Sequence, residues 1–496
     1  MVSASQYDYL ISKTNNTECW RSQIMKYHLL TTCLLSICLS ANVSYAAPEG
    51  GVVTDGPLTS LDKLETIAAV KNAPSPRRNI AIQQWQTSNG AKVLFVHAGE
   101  LPMVDVRVLF DAGSARDGAQ FGVASLVSQM LDEGTATRST DDIAAAFENL
   151  GASFHAAAYR DMFLVDLRVL SDTAYLDPAL TVFTDIVARP SFPEASFNRI
   201  FDGAQVGQQH KKQSPSAQAG LLFYQHLYGD HPYAHPSSGT PDSLKKIKTD
   251  DLKSFHQQYF VAQNATITLI GDINDDKAKA IAETISGSLS RGQAAPKQIR
   301  VPPLAKGIHK HLSFPSQQTH IMMGLASMRR DDKDYEALYV GNEILGGGGF
   351  GSILMKELRE KRGLTYGVYS SVVPMSAEGP FMISLSTRSD QTQQALDLIR
   401  SNLRDFIRKG ATDEQITEAK DNILGGFPLS TSSNASILAY LGSMGFYNLP
   451  ADYLDTFNDR INKVTAKDIR EAFRQHINPD KMLTVTVGQG VTVAKK

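Results

Sequence analysis

Ser125, Ser128 and Gln129 are the residues whose types and spacing bear most directly on chemistry. They lie in segment 122–135, GVASLVSQMLDEGT, whose apolar residues recur at the spacing of one helical stripe. On another face of that helix, histidine, glutamate and histidine at these three positions would place two zinc ligands one turn apart, beside a general base. The frame of a zinc-dependent hydrolytic helix is present, and its ligands are replaced.

The replacements remove the chemistry that a hydrolytic zinc site needs. Zinc is held by imidazole, thiolate or carboxylate, whereas a serine hydroxyl does not ionise readily and a glutamine amide is a weak neutral donor. A base must also take a proton from the metal-bound water, and Ser128 offers none. The sequence therefore predicts that this chain binds no metal here and has no catalytic residue of its own.

Segment 122–135 resembles the pattern G-x-A-H-x-x-E-H-x-x-x-x-G-T of the insulinase or pitrilysin family of zinc metallopeptidases. The shared residues are Gly122, Ala124, Gly134 and Thr135. The family's third ligand is a glutamate about seventy to eighty positions downstream, yet no glutamate occurs between Glu194 and Glu283. The resemblance thus includes the loss of all three ligands. The alternative is a chance likeness of an ordinary buried helix.

Histidines in the first half offer a weaker alternative metal site. His226, His231 and His235 lie close together in sequence, but they flank Gly229 and Pro232 in loop-like sequence without a nearby glutamate. His155 stands where the family often has an asparagine near the cleft. We interpret His155 as a surface or pocket-lining imidazole rather than a ligand.

A second likeness lies in the second half of the chain. It consists of a glycine loop and an R-x-x-x-Y element, formed by Gly346, Gly347, Gly348, Gly349, Arg362 and Tyr366. In the relatives, the arginine and tyrosine come from the half without zinc and reach the peptide held at the other half's zinc site. A guanidinium can grip a carbonyl or carboxylate, and a phenol can donate to a developing oxyanion. Alternatively, Arg362 opposes a helix dipole before Gly363, and Tyr366 is an ordinary strand aromatic.

The first half lacks its zinc ligands, whereas the second half keeps the glycine loop and the R-x-x-x-Y element. In this combination the chain resembles the non-catalytic subunit of two-chain members such as mitochondrial processing peptidase. The resemblance implies a homologous partner subunit that bears His-x-x-Glu-His and the zinc, while this chain binds no cofactor. It also implies that extended peptides are hydrolysed in an enclosed chamber, with Arg362 and Tyr366 contacting them in trans. Two alternatives stay open: a peptide-binding or scaffold protein without a proteolytic role, and an enzyme with unrecognised ligands.

The strands and helices that would position these residues are predicted to occur in the same order in both halves of the chain. Alternating patterns predict strands at 104–110 and 163–169, and a helical pattern follows at 177–188. The second half repeats this order with strands at 320–328 and 381–387 and helical stretches at 335–345 and 391–408. We expect an α+β fold of two tandem homologous α/β sandwich domains; by the resemblance, they are of the mitochondrial-processing-peptidase-like metallohydrolase type.

The expected domains are a first peptidase-like domain at 76–285, a linker at 286–306 rich in Ser, Gly, Pro and Ala, and a second domain at 307–496. Residues 47–75 form an N-terminal extension. Residues 1–46 are interpreted as a signal peptide, with 1–24 a candidate upstream extension and cleavage after Ala46. A membrane anchor is the alternative, but the apolar run is short and interrupted. We expect a periplasmic protein without an integral membrane segment after cleavage.

Composition narrows the classes of function. The 496 residues are 42% hydrophobic and 20% charged, enough for two domains with sizeable cores. A net charge of -2 gives no electrostatic reason to expect nucleic acid as a partner. All three cysteines, Cys19, Cys33 and Cys38, lie in the leader, so we expect no disulfide or cysteine chemistry in the mature chain.

Overall fold

Two β-sheets, one from each half of the sequence, form the framework of the protein. The structure is a computed structural model that describes residues 80–490, all within one compact unit. The first sheet contains β1 (Gln83–Gln86), β2 (Lys92–His97), β3 (Met103–Phe110), β4 (Ser153–Ala158), β5 (Phe163–Leu170) and β6 (Ala265–Gly271). The second contains β7 (Ile308–Ser313), β8 (Gln318–Met328), β9 (Val368–Val372), β10 (Gly379–Arg388) and β11 (Leu483–Gly488).

Apart from the additional edge strand β1, the two sheets share one topology. Their strand orders are β1-β2-β6-β3-β5-β4 and β7-β11-β8-β10-β9. The last strand of each half thus lies between two earlier strands, β6 between β2 and β3 and β11 between β7 and β8. The inserted strand pairs parallel to one neighbour, β2 or β7, and antiparallel to the other, β3 or β8. The sheets are therefore mixed, and the α+β fold with two homologous domains is confirmed.

Helices pack against both sheets. Those of the first half are α1 (Val123–Met130), α2 (Thr140–Asn149), α3 (Thr173–Ala188), α4 (Glu194–Gln213), α5 (Pro215–Tyr228), α6 (Pro241–Leu244), α7 (Thr249–Tyr259) and α8 (Asp275–Ser288). Those of the second are α9 (Tyr335–Asn342), α10 (Thr392–Lys409), α11 (Asp413–Ser430), α12 (Asn434–Phe446), α13 (Phe457–Lys463) and α14 (Ala466–His476). Two π-helical segments, Glu343–Gly347 and Met355–Glu360, flank the glycine loop.

Each half contributes one helix that packs on the sheet of the other half. Helix α5 packs on β8 and β11, and α12 packs on β2, β3 and β6. Phe223 of α5 is fully buried, and Gly324 leaves room for its ring, because a Cβ there would lie 2.9 Å from the ring's Cζ. The reciprocal helix approaches its sheet closely at Gly445, where a Cβ would lie 2.4 Å from Thr266. The exchange joins the halves through apolar packing.

A buried carboxylate adds a polar junction between the halves. Asp161 accepts hydrogen bonds from the hydroxyls of Tyr233 and Tyr447 and, at 2.7 Å, from the backbone N–H of Ser376. Burial raises the pKa of Asp161, while these donors act in the opposite direction by favouring the charged form. Residues from both halves thus share one buried acceptor.

The strands predicted from alternation are confirmed as β3, β5, β8 and β10. Helix α3 begins at Thr173 rather than at Asp177, and the predicted 335–345 helix is α-helical only to Asn342 before its π turn. Residues 290–307, most of the expected linker, lack regular structure. The signal peptide, the N-terminal extension and the cysteines lie outside the described residues. Within 80–490, no helix is both long and apolar enough to cross a membrane.

Candidate functional site

Helix α1 is fixed at its start by an acidic side chain and a glycine. The carboxylate of Asp117 accepts hydrogen bonds from the backbone N–H groups of Gly122, at 2.7 Å, and Ala124, at 3.0 Å. A negative charge is favourable at a helix N-terminus, where N–H groups lack helical partners. Gly122 has a φ of +104°, and a Cβ there would lie 3.0 Å from the backbone of Gly239. The local geometry therefore requires glycine.

The three residues at the zinc-motif positions bond to one another. Ser128 Oγ donates to the carbonyl of Ser125 at 2.8 Å, and Gln129 Nε2 donates to the same carbonyl at 3.0 Å. Gln129 Nε2 also lies 3.4 Å from Ser125 Oγ. Gln129 is exposed, whereas the two serines are half-buried. This face of α1 is therefore polar, and some of its hydrogen-bonding groups already bond within the helix.

A small cleft of about 210 Å³ opens between this face and α4. Its polar lining comprises Ser125, Gln129, Gln208, Lys211 and Ser238, and the rest of its lining comprises Leu126, Gly203, Ala204, Gly207 and Leu244. Gln208 is buried, and its Nε2 donates to the carbonyls of Ser238, at 3.0 Å, and Gly239, at 3.2 Å. Lys211 Nζ donates to Ser238 Oγ. The lining that the structure describes thus carries a cation and no carboxylate.

This donor set does not fit zinc. The opposing helix provides Gln208 and the Lys211 ammonium where a carboxylate ligand would be needed, and α1 provides only hydroxyls and an amide. Within residues 80–490, one group of histidine and acidic side chains has ligand atoms within 4.8 Å of one another: Asp332, Asp334 and His476. That group belongs to the second half, where His476 Nε2 lies 3.0 Å from Asp334 Oδ2.

His231 and His235 each contact the backbone, and the described histidines of the first half do not form a metal-ligand cluster. His231 Nε2 lies 3.0 Å from the carbonyl of Ile299, and His231 Nδ1 accepts the N–H of Tyr233. His235 Nε2 lies 2.8 Å from the carbonyl of Ser114. Burial lowers the pKa of His231. His155 is an exposed residue of the edge strand β4.

The glycine loop approaches neighbouring side-chain and backbone atoms too closely to carry side chains. A Cβ on Gly346 would lie 2.6 Å from Ser370 Oγ in β9, and one on Gly347 would lie 2.6 Å from Asn342 Nδ2. A Cβ on Gly348 would lie 2.7 Å from a backbone carbonyl, and Gly349 has a φ of +59°. The glycines are required by packing and by backbone conformation.

Arg362 and Tyr366 lie on the surface just before β9. Arg362 Nη1 donates to the carbonyl of Glu357 at 2.8 Å and to its carboxylate at 2.7 Å. Bonds from Lys361 and Arg362 lower the pKa of the Glu357 carboxyl. Arg362 therefore binds the end of a π-helical segment in this chain, which agrees with the helix-end alternative. Tyr366 is 87% exposed and is not packed as an ordinary strand aromatic.

Sequence reasoning missed the α4 side of the cleft. Gln208 and Lys211 are spaced i and i+3, which places both on one helix face. The family's third ligand is a glutamate, so a glutamine and a lysine on that face do not match any expected ligand. Their helical spacing is a signal that the sequence does carry, whereas the loop residue Ser238 joins them only in the folded chain.

Similarity to known proteins identifies the family of this chain. A model described as Insulinase (Peptidase family M16) matches residues 92–239, and one described as Peptidase M16 inactive domain matches residues 246–423. A crystal structure from Pseudomonas fluorescens, described as a peptidase M16 inactive domain, is 44% identical with a TM-score of 0.81. It covers 84% of this chain, which covers 100% of that one. The chain belongs to the peptidase M16 family.

Other M16 relatives are bacterial. The Helicobacter pylori "Non-peptidase homolog YmxG" is 27% identical over 79% of this chain and 90% of its own length. The Bacillus subtilis "Uncharacterized zinc protease YmxG" is 23% identical over 82% and 99%. A protease crystal structure from Helicobacter pylori, 17% identical with a TM-score of 0.74, supports the fold, covering 82% of this chain and 100% of that one. With its ligand positions replaced, this chain is an inactive M16 homologue.

Proposed function

We propose that this chain is the non-catalytic, substrate-binding subunit of a two-chain M16 peptidase in the periplasm. The observation that carries the proposal is the contrast between its halves. The described lining of the cleft at α1 contains a lysine and no zinc ligands, while Arg362 and Tyr366 are exposed at the surface. Hydrolysis then requires a zinc-bearing partner with His-x-x-Glu-His, and this chain binds no cofactor of its own.

Edge strands provide a way to hold an extended peptide. β4 and β9 each end a sheet and have one strand neighbour among the described strands. A peptide added to such an edge gains backbone hydrogen bonds without a strict sequence requirement. β4 packs against α1, and β9 packs against the two π-helical segments. Each free edge thus lies beside one of the two family elements.

Arg362 gives the direct test. In the reconstituted complex, we expect Arg362→Ala to lower peptide turnover by about tenfold or more, because a charged hydrogen bond to the substrate is lost. Lys361→Ala is the matched control, because Lys361 also binds Glu357, at 2.5 Å, and belongs to the same exposed segment. Assembly, measured by size-exclusion chromatography, should not change. Equal turnover by wild type and Arg362→Ala would refute this role.

The same free edges also favour a second candidate, a peptide-binding or scaffold protein without a proteolytic role. It shares the inactive α1 face and needs no zinc-bearing partner. Under this alternative, the purified chain retains peptides, and no pairing with another envelope protein yields hydrolysis. Peptide retention and turnover, measured on the same samples, distinguish the two functions.

A further inference from the structure

We propose that Asp332, Asp334 and His476 form a binding site for a divalent transition-metal cation in the second half of the chain. Their ligand atoms all lie within 4.8 Å of one another. Two carboxylates and an imidazole suit cations such as Mn²⁺ and Zn²⁺, with water at the remaining positions. A cation here connects two helices and lies apart from the replaced zinc motif on α1. It is therefore structural rather than catalytic, and independent of the proposed peptidase role.

The fold brings these ligands together from two distant segments of the chain. Asp332 and Asp334 lie between β8 and α9, and His476 is the last residue of α14. Helix α9 packs so closely on α14 that a Cβ on Gly341 would overlap the ring of Phe473. The side chain of His476 is 8% exposed, and those of Asp332 and Asp334 are 26% and 22% exposed. Packing therefore holds the imidazole, while the carboxylates are accessible to a hydrated cation.

The distances between the ligand atoms suit a shared cation. His476 Nε2 lies 3.0 Å from Asp334 Oδ2 and 3.8 Å from Asp332 Oδ1. Ligand atoms that are about 2.1 Å from one metal lie roughly 3.0–3.5 Å apart at octahedral or tetrahedral angles. Asp332 Oδ1 also accepts the backbone N–H of Asp334 at 3.0 Å, which orients this carboxylate. Small side-chain adjustments are thus enough to place a cation between the three residues.

The hydrogen-bonding pattern of His476 favours a cation at Nε2. Its Nδ1 lies 3.5 Å from the carbonyl of Ser327, and its Nε2 faces the two carboxylates. A neutral imidazole has one N–H, so one of its nitrogens would face an acceptor with a lone pair. A cation at Nε2, with the Nδ1–H directed to the carbonyl, removes this conflict. Metal-bound histidines usually make such an outer hydrogen bond.

Charge distinguishes a metal cation from a second proton on His476. Among the described residues, His476 is the one basic group within ion-pair distance of Asp332 or Asp334. The neighbouring Arg329 binds Asp331 instead, at 2.9 Å. A protonated imidazole between two ionised carboxylates leaves one negative charge unbalanced, whereas a divalent cation balances both and keeps the imidazole neutral.

Binding of Mn²⁺ to the full chain tests the proposal. Hydrated Mn²⁺ gives an electron paramagnetic resonance signal that is lost on binding, so a titration at neutral pH counts sites and gives their Kd. The chain is first dialysed against a chelator, which removes an exchangeable cation. We expect one site per chain. Once free Mn²⁺ exceeds the Kd a hundredfold, the thermal unfolding temperature should rise by roughly 3 °C.

Variants locate the site. His476→Gln and Asp334→Asn should each weaken Mn²⁺ binding by about tenfold or more, because each removes a ligand. Asp331→Asn is the control for the carboxylate, since Asp331 is exposed in the same loop and binds Arg329. His210→Gln is the control for the imidazole, because His210 is an exposed histidine in the last turn of α4. Both controls should bind Mn²⁺ as the wild type does.

Unfolding curves recorded without metal show which variants keep the fold. If His476→Gln does not fold, the comparison of Asp334→Asn with Asp331→Asn decides, because both changes conserve side-chain size. A wild-type chain that leaves the Mn²⁺ signal unchanged at millimolar metal would overturn the proposal, as would equal binding by the wild type and Asp334→Asn. Neither result would bear on the proposed peptidase role.

Discussion

Hydrogen bonds to Asp117 and to the carbonyl of Ser125 explain how α1 keeps the helix of the family motif although its zinc-ligand residues are replaced. The Asp117 carboxylate binds two N–H groups at the helix start, and both Ser128 and Gln129 donate to Ser125. Burial raises the pKa of Asp117, whereas His235 and the two backbone donors favour its charged form. These hydrogen bonds satisfy part of the polar groups of α1 with residues of the chain itself.

Restoring the motif on α1 alone should not restore hydrolysis. We expect Ser125→His combined with Ser128→Glu and Gln129→His to retain no stoichiometric zinc after dialysis at neutral pH. The physical reason is that Gln208 and Lys211 occupy the opposing wall and supply no third anionic ligand. Zinc is measured by elemental analysis, and His476→Gln in the same background removes any contribution from the Asp332, Asp334 and His476 group. Robust peptide hydrolysis by this variant would contradict our account.

His256 gives a pH dependence whose sign can be derived. Burial lowers its pKa to about 4 from an ordinary 6.5, although its bond to the carbonyl of Val187 acts in the opposite direction. Between pH 6.5 and 4, the unfolded chain binds this proton and the folded chain does not, so the free energy of unfolding falls as pH falls. The loss should reach about 3 kcal/mol across the window.

Denaturant unfolding at several pH values checks this expectation. His256→Gln keeps an N–H donor for Val187 but does not titrate, so its stability should fall less steeply between pH 6.5 and 4. Above pH 7, the two proteins should show no difference in pH slope. Identical slopes in the acidic window would show that His256 does not carry the effect.

At the scale of elements, the exchanged helices α5 and α12 hold the two halves together. Gly445 lies where α12 meets the first sheet, and a Cβ there would clash with Thr266 at 2.4 Å and with Leu94 at 2.8 Å. We expect Gly445→Ala to lower the free energy of unfolding by about 1–3 kcal/mol through overpacking. Denaturant midpoints measure the change.

Gly425 in α11 is the control for that substitution, because a Cβ there would meet no described residue within 4 Å apart from its own helix backbone, and alanine favours helix. Gly425→Ala should therefore be neutral or stabilise the protein by up to about 1 kcal/mol. A Gly445→Ala protein as stable as Gly425→Ala would mean that α12 does not pack closely on the first sheet.

The sequence predicts some of these elements well and others poorly. β3, β5, β8 and β10 were predictable because their sequences are rich in apolar residues that alternate, in part, with polar ones. Strand β4, with the sequence SFHAAA, lacks that signal because it is an edge strand with a partly exposed face. The exchange of α5 and α12 depends on contacts between residues far apart in sequence, which local periodicity does not encode.

Some residues of the candidate site are likewise predictable from the sequence and others are not. The replaced ligands at Ser125, Ser128 and Gln129 were predictable because segment 122–135 resembles the family's zinc motif, and helical periodicity places these three residues on one face. The cleft was not, since Lys211 and Ser238 are brought to it by tertiary packing. The roles of Arg362 and Tyr366 in trans stay predictions, because they concern a partner chain.

At the scale of the whole molecule, one sheet topology occurs twice, and the two halves differ in what their surfaces offer. The first half presents an amide, hydroxyls and a lysine at the family's zinc position, and the second presents Arg362 and an exposed Tyr366 beside an open edge. A duplicated fold whose zinc-motif positions carry Ser125, Ser128 and Gln129 agrees with our proposal of a non-catalytic subunit.

The most direct test is gentle affinity purification of this chain from its native envelope fraction, followed by mass spectrometry and zinc analysis. Our account predicts a stoichiometric second chain that bears His-x-x-Glu-His, with zinc and peptide hydrolysis found in the complex and not in this chain alone. A zinc-loaded chain that hydrolyses peptides without any partner would contradict it.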